Sequence, residues 1–256
     1  PRVTFGHDWV HDCVSEIFKN DISHYPLLIT ADVQEESSEA LSQGRPPKMK
    51  ALAMHNGNIY KWNRLCYGVS YGKPHLRIEN RYVPTGPTLV DEVANIAFWV
   101  GVMKAMPDEY KDLPKLMNFK AARQNFYKAA KHGLNTQFDW FGKRISAKAL
   151  LLTELLPLAE KGLKSVGIQE DEIDYYLNIV KQRVKKNKTG SQWMSTNFNR
   201  LKAQFTKRRT AFFLTQQMLK YQDKDIPVHE WRNINVSKKP CQVTDFTVSD
   251  VMTTDL

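Results

Sequence analysis

The stretch that begins at Thr88 constrains this chain most. Val90, Val93, Ala94, Ala97, Phe98, Val100, Gly101 and Val102 place apolar groups nearly all the way round a helix, and such a helix is expected to be buried. Thr88 suits the N-cap, with Asp91 three residues on as its capping-box partner. Neighbours for this helix can come from downstream. Helical spacing predicts further helices over residues 119–132, 146–164, 169–187, 190–205 and 207–221, with Gly133 and Gly167 where stops are expected. The chain after residue 88 should therefore be mostly helical. No internal repeat is visible.

The chain before Thr88 has a different character. Trp9, Val10, Val14, Ile17, Phe18 and Ile22 predict a helix over 7–24. Residues 32–47 are polar and read as a loop or a short polar helix. Residues 49–55 and 58–64 are short segments joined by Asn56-Gly57, a pair that tolerates positive φ and predicts a type I′ hairpin. A third extended segment, 76–83, follows the turn region Gly68–Pro74. The expected fold class is α+β, an antiparallel sheet packed with helices.

Length and composition set outer limits. The chain has 256 residues, 42% of them hydrophobic, enough for one large core or two smaller ones. It has no uncharged apolar run of the length a membrane span needs. Cys13, Cys66 and Cys241 are far apart and form no CxxC pair. That argues against a disulfide framework or structural zinc and fits a reducing cytoplasm. The net charge of +10 is local: residues 175–222 hold eleven Lys and Arg and no Asp or Glu. With Trp193, Phe198, Phe205, Phe212 and Phe213 interleaved at helical spacing, this stretch reads as helices with solvated basic faces, and no nucleic acid is expected as a partner. His7 and His11 would share a helix face, but without a third ligand they read as a solvated surface.

The segment Leu76-Arg77-Ile78-Glu79-Asn80-Arg81-Tyr82-Val83 carries the most chemistry. As a strand it would put Arg77, Glu79 and Arg81 on one face, about 6–7 Å apart along the chain. One carboxylate between two guanidiniums has two readings. It is an exposed ion-pair ladder that adds little stability, or a site where Glu79 holds Mg2+ and the arginines hold phosphate or carboxylate oxygens. The preceding segments add His55, Lys61 and Arg64, with Tyr60, Trp62 and Arg64 on one face and Ile59, Lys61 and Asn63 on the other. Lys61 and Arg64 would extend the cationic row if the segments are neighbours.

Residues 54–67, from Met54-His55-Asn56-Gly57 through Trp62-Asn63-Arg64 to Tyr67, and Pro74-His75-Leu76-Arg77-Ile78-Glu79-Asn80-Arg81 resemble the type 2 glutamate–cysteine ligase family of bacterial carboxylate–amine ligases. Pro84-Thr85-Gly86-Pro87-Thr88, Asp91-Glu92-Val93-Ala94-Asn95, Asn125, Lys131-His132-Gly133-Leu134 and Thr189-Gly190 before Gln192 continue the likeness. It covers most of residues 3–220, strongly at 49–105 and loosely in the helices.

The resemblance implies a glutamine synthetase-like fold whose active-site sheet is antiparallel. It implies a reaction in which MgATP phosphorylates a glutamate carboxylate and an amine, cysteine among the candidates, attacks the acyl phosphate. By that resemblance Glu79 would be a metal ligand. Arg77 and Arg81 would bind the γ-phosphate or the substrate carboxylate, and Arg64 would be a second phosphate arginine. His55 would lie near the nucleotide or metal, with Lys61 as a further cation for the cofactor. A homo-oligomer is compatible with it. The family's other acidic ligands come from a Glu-x-Glu strand that has no counterpart in this sequence, so an upstream segment is expected.

The same reading divides the chain into a catalytic portion at 1–221 and a linker at 222–240. Residues 241–256, ending Val248-Ser249-Asp250-Val251-Met252-Thr253-Thr254-Asp255-Leu256, resemble the opening of a cystathionine-β-synthase-type (CBS) domain. The alternative to a ligase is a regulatory module that binds nucleotide without turning over, with a basic nucleic-acid-binding protein as a weaker third reading.

Overall fold

The computed structural model describes residues 3–33 and 35–235. The CBS-like segment at 241–256 lies outside them. In chain order the elements are α1 (Ser15–His24), α2 (Ser37–Ser42), α3 (Lys50–Gly57), β1 (Asn63–Ser70), β2 (Lys73–Asn80), α4 (Leu89–Glu109), α5 (Leu113–Leu116), α6 (Phe119–His132), β3 (Gln137–Trp140), β4 (Lys143–Ser146), α7 (Ala147–Leu150), α8 (Leu156–Ser165), α9 (Glu170–Lys185), α10 (Gly190–Lys202) and α11 (Lys207–Gln222). The fold is α+β, with two separate antiparallel two-stranded sheets among the described residues.

The helix expected after Thr88 is the centre of the first core. Thr88 Oγ1 accepts the Asp91 N–H at 3.3 Å and donates to the Asp91 carboxylate at 2.9 Å, so the cap forms. Val90 and Ala94 of α4 pack with Leu156, Ala159 and Leu163 of α8 and with Ile173, Leu177, Ile179 and Val180 of α9. Burial on all sides does not follow: Leu89, Ile96 and Met103, seven residues apart, form an exposed stripe. Where α4 meets α8 the backbones touch. A Cβ at Gly162 would lie 1.9 Å from the Gly101 carbonyl oxygen, and one at Gly101 would lie 2.3 Å from the Ala159 carbonyl oxygen.

The second core joins α10 and α11 to the chain that follows them. Trp193, Leu201 and Leu214 pack with Val228, Trp231 and Ile234. The described part of the expected linker, up to Asn235, is therefore packed, with Val228 and Trp231 fully buried. It is tied to α4 by the Val228 N–H, which donates to Asp91 Oδ2 at 2.8 Å.

Some local expectations before Thr88 are corrected. Residues 49–57 are not a strand, and Asn56-Gly57 is not a hairpin turn: both belong to α3, where Asn56 Nδ2 donates to the Leu65 carbonyl at 2.7 Å. The hairpin turn is Tyr71-Gly72, with φ of 51° and 73°, the two positive values a type I′ turn requires. Residues 7–14 are not helical. The Glu16 carboxylate accepts the backbone N–H groups of His11, Asp12 and Cys13, which holds that segment outside α1, so His7 and His11 share no helix face.

The predicted helix at 146–164 forms as one continuous helical run, with a π turn at Leu151–Leu155 inside it. Pro157 has no N–H for the Thr153 carbonyl and its ring crowds that turn, so the helical register loosens there. An unpredicted second hairpin, β3–β4, again turns on an aromatic–glycine pair, Phe141-Gly142, with φ of 53° and 75°.

Candidate functional site

The β1–β2 hairpin sets the site. Its register places Arg64 opposite Glu79, Cys66 opposite Arg77 and Gly68 opposite His75, so these six share one face. Directly opposed residues on one face lie closer than neighbours along a strand. Glu79 therefore meets Arg64 across the ladder. Arg64 Nε donates to Glu79 Oε2 at 2.9 Å, and Arg64 Nη2 reaches the same oxygen.

The second partner comes from beyond the strand end. The Arg81 N–H donates to the Trp62 carbonyl at 2.9 Å, continuing the ladder, and Arg81 Nε donates to Glu79 Oε1 at 2.9 Å. The Arg81 guanidinium also lies over the Tyr60 ring, 5.2 Å from its centroid, where the ring's negative face favours a cation. Each carboxylate oxygen thus has its own guanidinium. Partial burial pushes the Glu79 carboxyl up, but the hydrogen bonds and charges of Arg64 and then Arg81 outweigh it and hold Glu79 below the ordinary carboxylate range. The Glu79 side chain is still 37% exposed, against 16% for Arg64 and 28% for Arg81.

The other predicted site residues lie around this cluster rather than in it. Arg77 is exposed, and its Nη1 sits 3.2 Å from His75 Nε2. His55 is buried on α3 with Nε2 against the Tyr25 carbonyl at 2.8 Å. Lys61 is buried in an ion pair with Asp21, which ties α1 to the chain entering β1.

Asn56 was not anticipated as a site residue. Its carbonyl accepts Arg64 Nη1 at 3.3 Å, and its side chain braces β1. Only its place beside His55 in the quoted motif could have drawn attention to it. Cys66 lies against the cluster, with Sγ 3.9 Å from Glu79 Oε2.

Two guanidiniums on one face suit phosphate or carboxylate oxygens, which Arg binds through parallel N–H donors. The metal fit is narrower. Among the described residues no three His, Cys, Asp or Glu side chains come together as a metal-binding group. Glu79 offers one carboxylate. That fits a Mg2+ ion that arrives bound to phosphates, since such ions use one or two protein carboxylates, and does not fit a Mg2+ ion bound by these residues alone.

No protein-family model, no curated protein and no solved structure matches the chain. Among the described residues, no helix is long and apolar enough to cross a membrane.

Proposed function

We propose that the chain forms the arginine-lined part of the active site of an ATP- and Mg2+-dependent carboxylate–amine ligase of the glutamate–cysteine ligase type, built on a glutamine synthetase-like sheet. The observation that carries this reading is the meeting of Glu79 with Arg64 and Arg81 on one strand face, within the segment that resembles that family. Acyl-phosphate chemistry depends chiefly on positioning and charge neutralisation. In this role Arg64 and Arg81 hold the oxygens of the transferred phosphate and of the glutamate carboxylate, and Glu79 orients both guanidiniums. Glu79 would also supply the one protein carboxylate for a metal that enters with ATP.

This segment is expected to be inactive alone, so the test is ADP release with glutamate and a panel of amines in the parent protein that carries the remaining acidic ligands, as wild type and with Arg64→Gln and Arg81→Gln. Amine-dependent release that both substitutions abolish supports the ligase. ATP binding with no turnover for any amine sinks it. That outcome would favour the second reading, a nucleotide-binding module without catalysis, which draws its support from the single carboxylate at the cluster.

A further inference from the structure

A second basic recess, open to solvent, lies between α6 and the β3–β4 hairpin, with a volume of about 620 Å³ and with Lys128, His132 and Arg144 exposed on it. That volume falls within the range of small-molecule sites. Lys128 and His132, four residues apart on one face of α6, line one side. Arg144 of β4, Asn135, Gln137 and Phe138 complete the lining.

The frame that carries these groups is braced. The buried Asn125 accepts the Asp139 N–H at 3.0 Å and donates to the Asp139 carbonyl at 2.6 Å, clamping α6 to the edge of β3. The fully buried Thr136 hydroxyl lies within hydrogen-bond distance of the Lys128 and Gly133 carbonyls, at 3.1 and 2.7 Å.

The recess holds one carboxylate, Asp139, and the turn engages it. Asp139 stands directly opposite Arg144 in the register, where an ion pair would be expected. Instead its Oδ1 accepts the Gly142 N–H at 3.1 Å and closes the Phe141-Gly142 turn. Among the described residues, Lys128, His132 and Arg144 make no ion pair with a carboxylate. An anion placed between Lys128 and Arg144 would give both cations a counter-charge.

We propose that this recess binds a phosphate-bearing small molecule, with Lys128, His132 and Arg144 on the phosphate oxygens. The site is separate from the Glu79 cluster and does not depend on the ligase reading.

The test titrates the full chain with pyrophosphate by calorimetry at low salt and follows the backbone amides of Asn135 and Gly142 by NMR. Arg144→Gln and Lys128→Gln should each weaken one binding event about tenfold, the scale of a lost charge-assisted contact. Arg64→Gln should leave that event unchanged, and the two amides should shift as it saturates. Lys131→Gln, at an exposed neighbour outside the recess, is the control. An equal loss in Lys131→Gln would mean diffuse surface charge and overturn the proposal. So would undiminished binding in the Lys128→Gln, Arg144→Gln double variant, or amides that do not respond to pyrophosphate.

Discussion

Arg64 and Glu79 stand opposite each other across the β1–β2 hairpin, and Arg64 Nε donates to Glu79 Oε2 at 2.9 Å. With Arg81 on the other oxygen, the cluster satisfies itself. An incoming phosphate must compete with Glu79 for both guanidiniums, and an incoming metal must compete with the guanidiniums for Glu79. The two exchanges relieve each other when phosphate and metal arrive together, which suits MgATP better than either component alone.

Glu79→Gln separates these roles. With the competing charge removed, Arg64 and Arg81 should hold pyrophosphate several-fold more tightly, because charged acceptors bind them better than a neutral amide does. Mg2+-dependent ADP release should fall at the same time. Calorimetry on the Lys128→Gln, Arg144→Gln background reads this site alone. Weaker pyrophosphate binding in Glu79→Gln would contradict the competition.

Much of the helical half was legible because its signals are local. Asn118 and Gly133 bound α6 at the predicted residues, and Thr88 caps α4. The sheet was less legible. Type I′ turns demand positive φ at two positions, and Asn-Gly is the sequence most suited to that, yet Tyr71-Gly72 and Phe141-Gly142 take those values here. Asn56 instead puts its side chain on the Leu65 carbonyl, a tertiary contact that no local pattern reveals. The row Arg77-Glu79-Arg81 was visible in the sequence. Its strongest partner, Arg64, depends on strand register, and the register follows from the turn that was misplaced. In the basic stretch at 175–222, Arg183 finds its carboxylate in Asp91, far away in sequence.

His229 makes the second core sensitive to acid. It is 6% exposed, and its Nδ1 is buried without a hydrogen-bond partner. Burial and then the nearby Lys186 charge, with Arg183 adding to it, hold its pKa below the usual histidine value. Glu230 and Asp91 oppose them and are outweighed. The folded state thus binds the proton less well than the unfolded chain. Stability from this group is full above about pH 6.5 and is lost as pH falls through the folded-state value, with a slope of at most about 1.4 kcal/mol per pH unit. Urea denaturation from pH 7.5 to 5, followed by tryptophan fluorescence, should show this loss. His229→Gln should flatten it, and an unchanged slope in that variant would assign the effect to other groups.

Asp91 ties three segments together. It is fully buried, accepts from Thr88 Oγ1 and the Val228 N–H, and lies 3.2 Å from Arg183 Nε. Asp91→Ala leaves the largely buried Arg183 without its counter-charge and should destabilise the fold by about 3–5 kcal/mol in urea denaturation. Adding Arg183→Met should recover part of that loss, because the remaining penalty is then cavity and lost hydrogen bonds rather than an uncompensated charge. A loss below about 1 kcal/mol in Asp91→Ala would place the anchor elsewhere.

The contact between α4 and α8 makes the most severe steric prediction. At Gly101 and Gly162 the obstacle to a Cβ is backbone: Ala159 carbonyl oxygen at 2.3 Å and Gly101 carbonyl oxygen at 1.9 Å. No rotamer change can relieve either clash, so Gly101→Ala must push the helices apart and loosen the shared core of Ala94, Ala159 and Leu163. Overpacking commonly destabilises by about 1–3 kcal/mol, and a backbone obstacle puts these variants at or above the top of that range. Gly57→Ala is the control, since a Cβ there meets nothing within 4 Å. Its effect should stay within about 0.5 kcal/mol. The double variant Gly101→Ala, Gly162→Ala should lose less than the sum of the two, because the first methyl already separates the helices that the second would strain. Full additivity would mean that the two glycines do not share one contact. A loss in Gly101→Ala no larger than in Gly57→Ala would mean that the helices do not touch there at all.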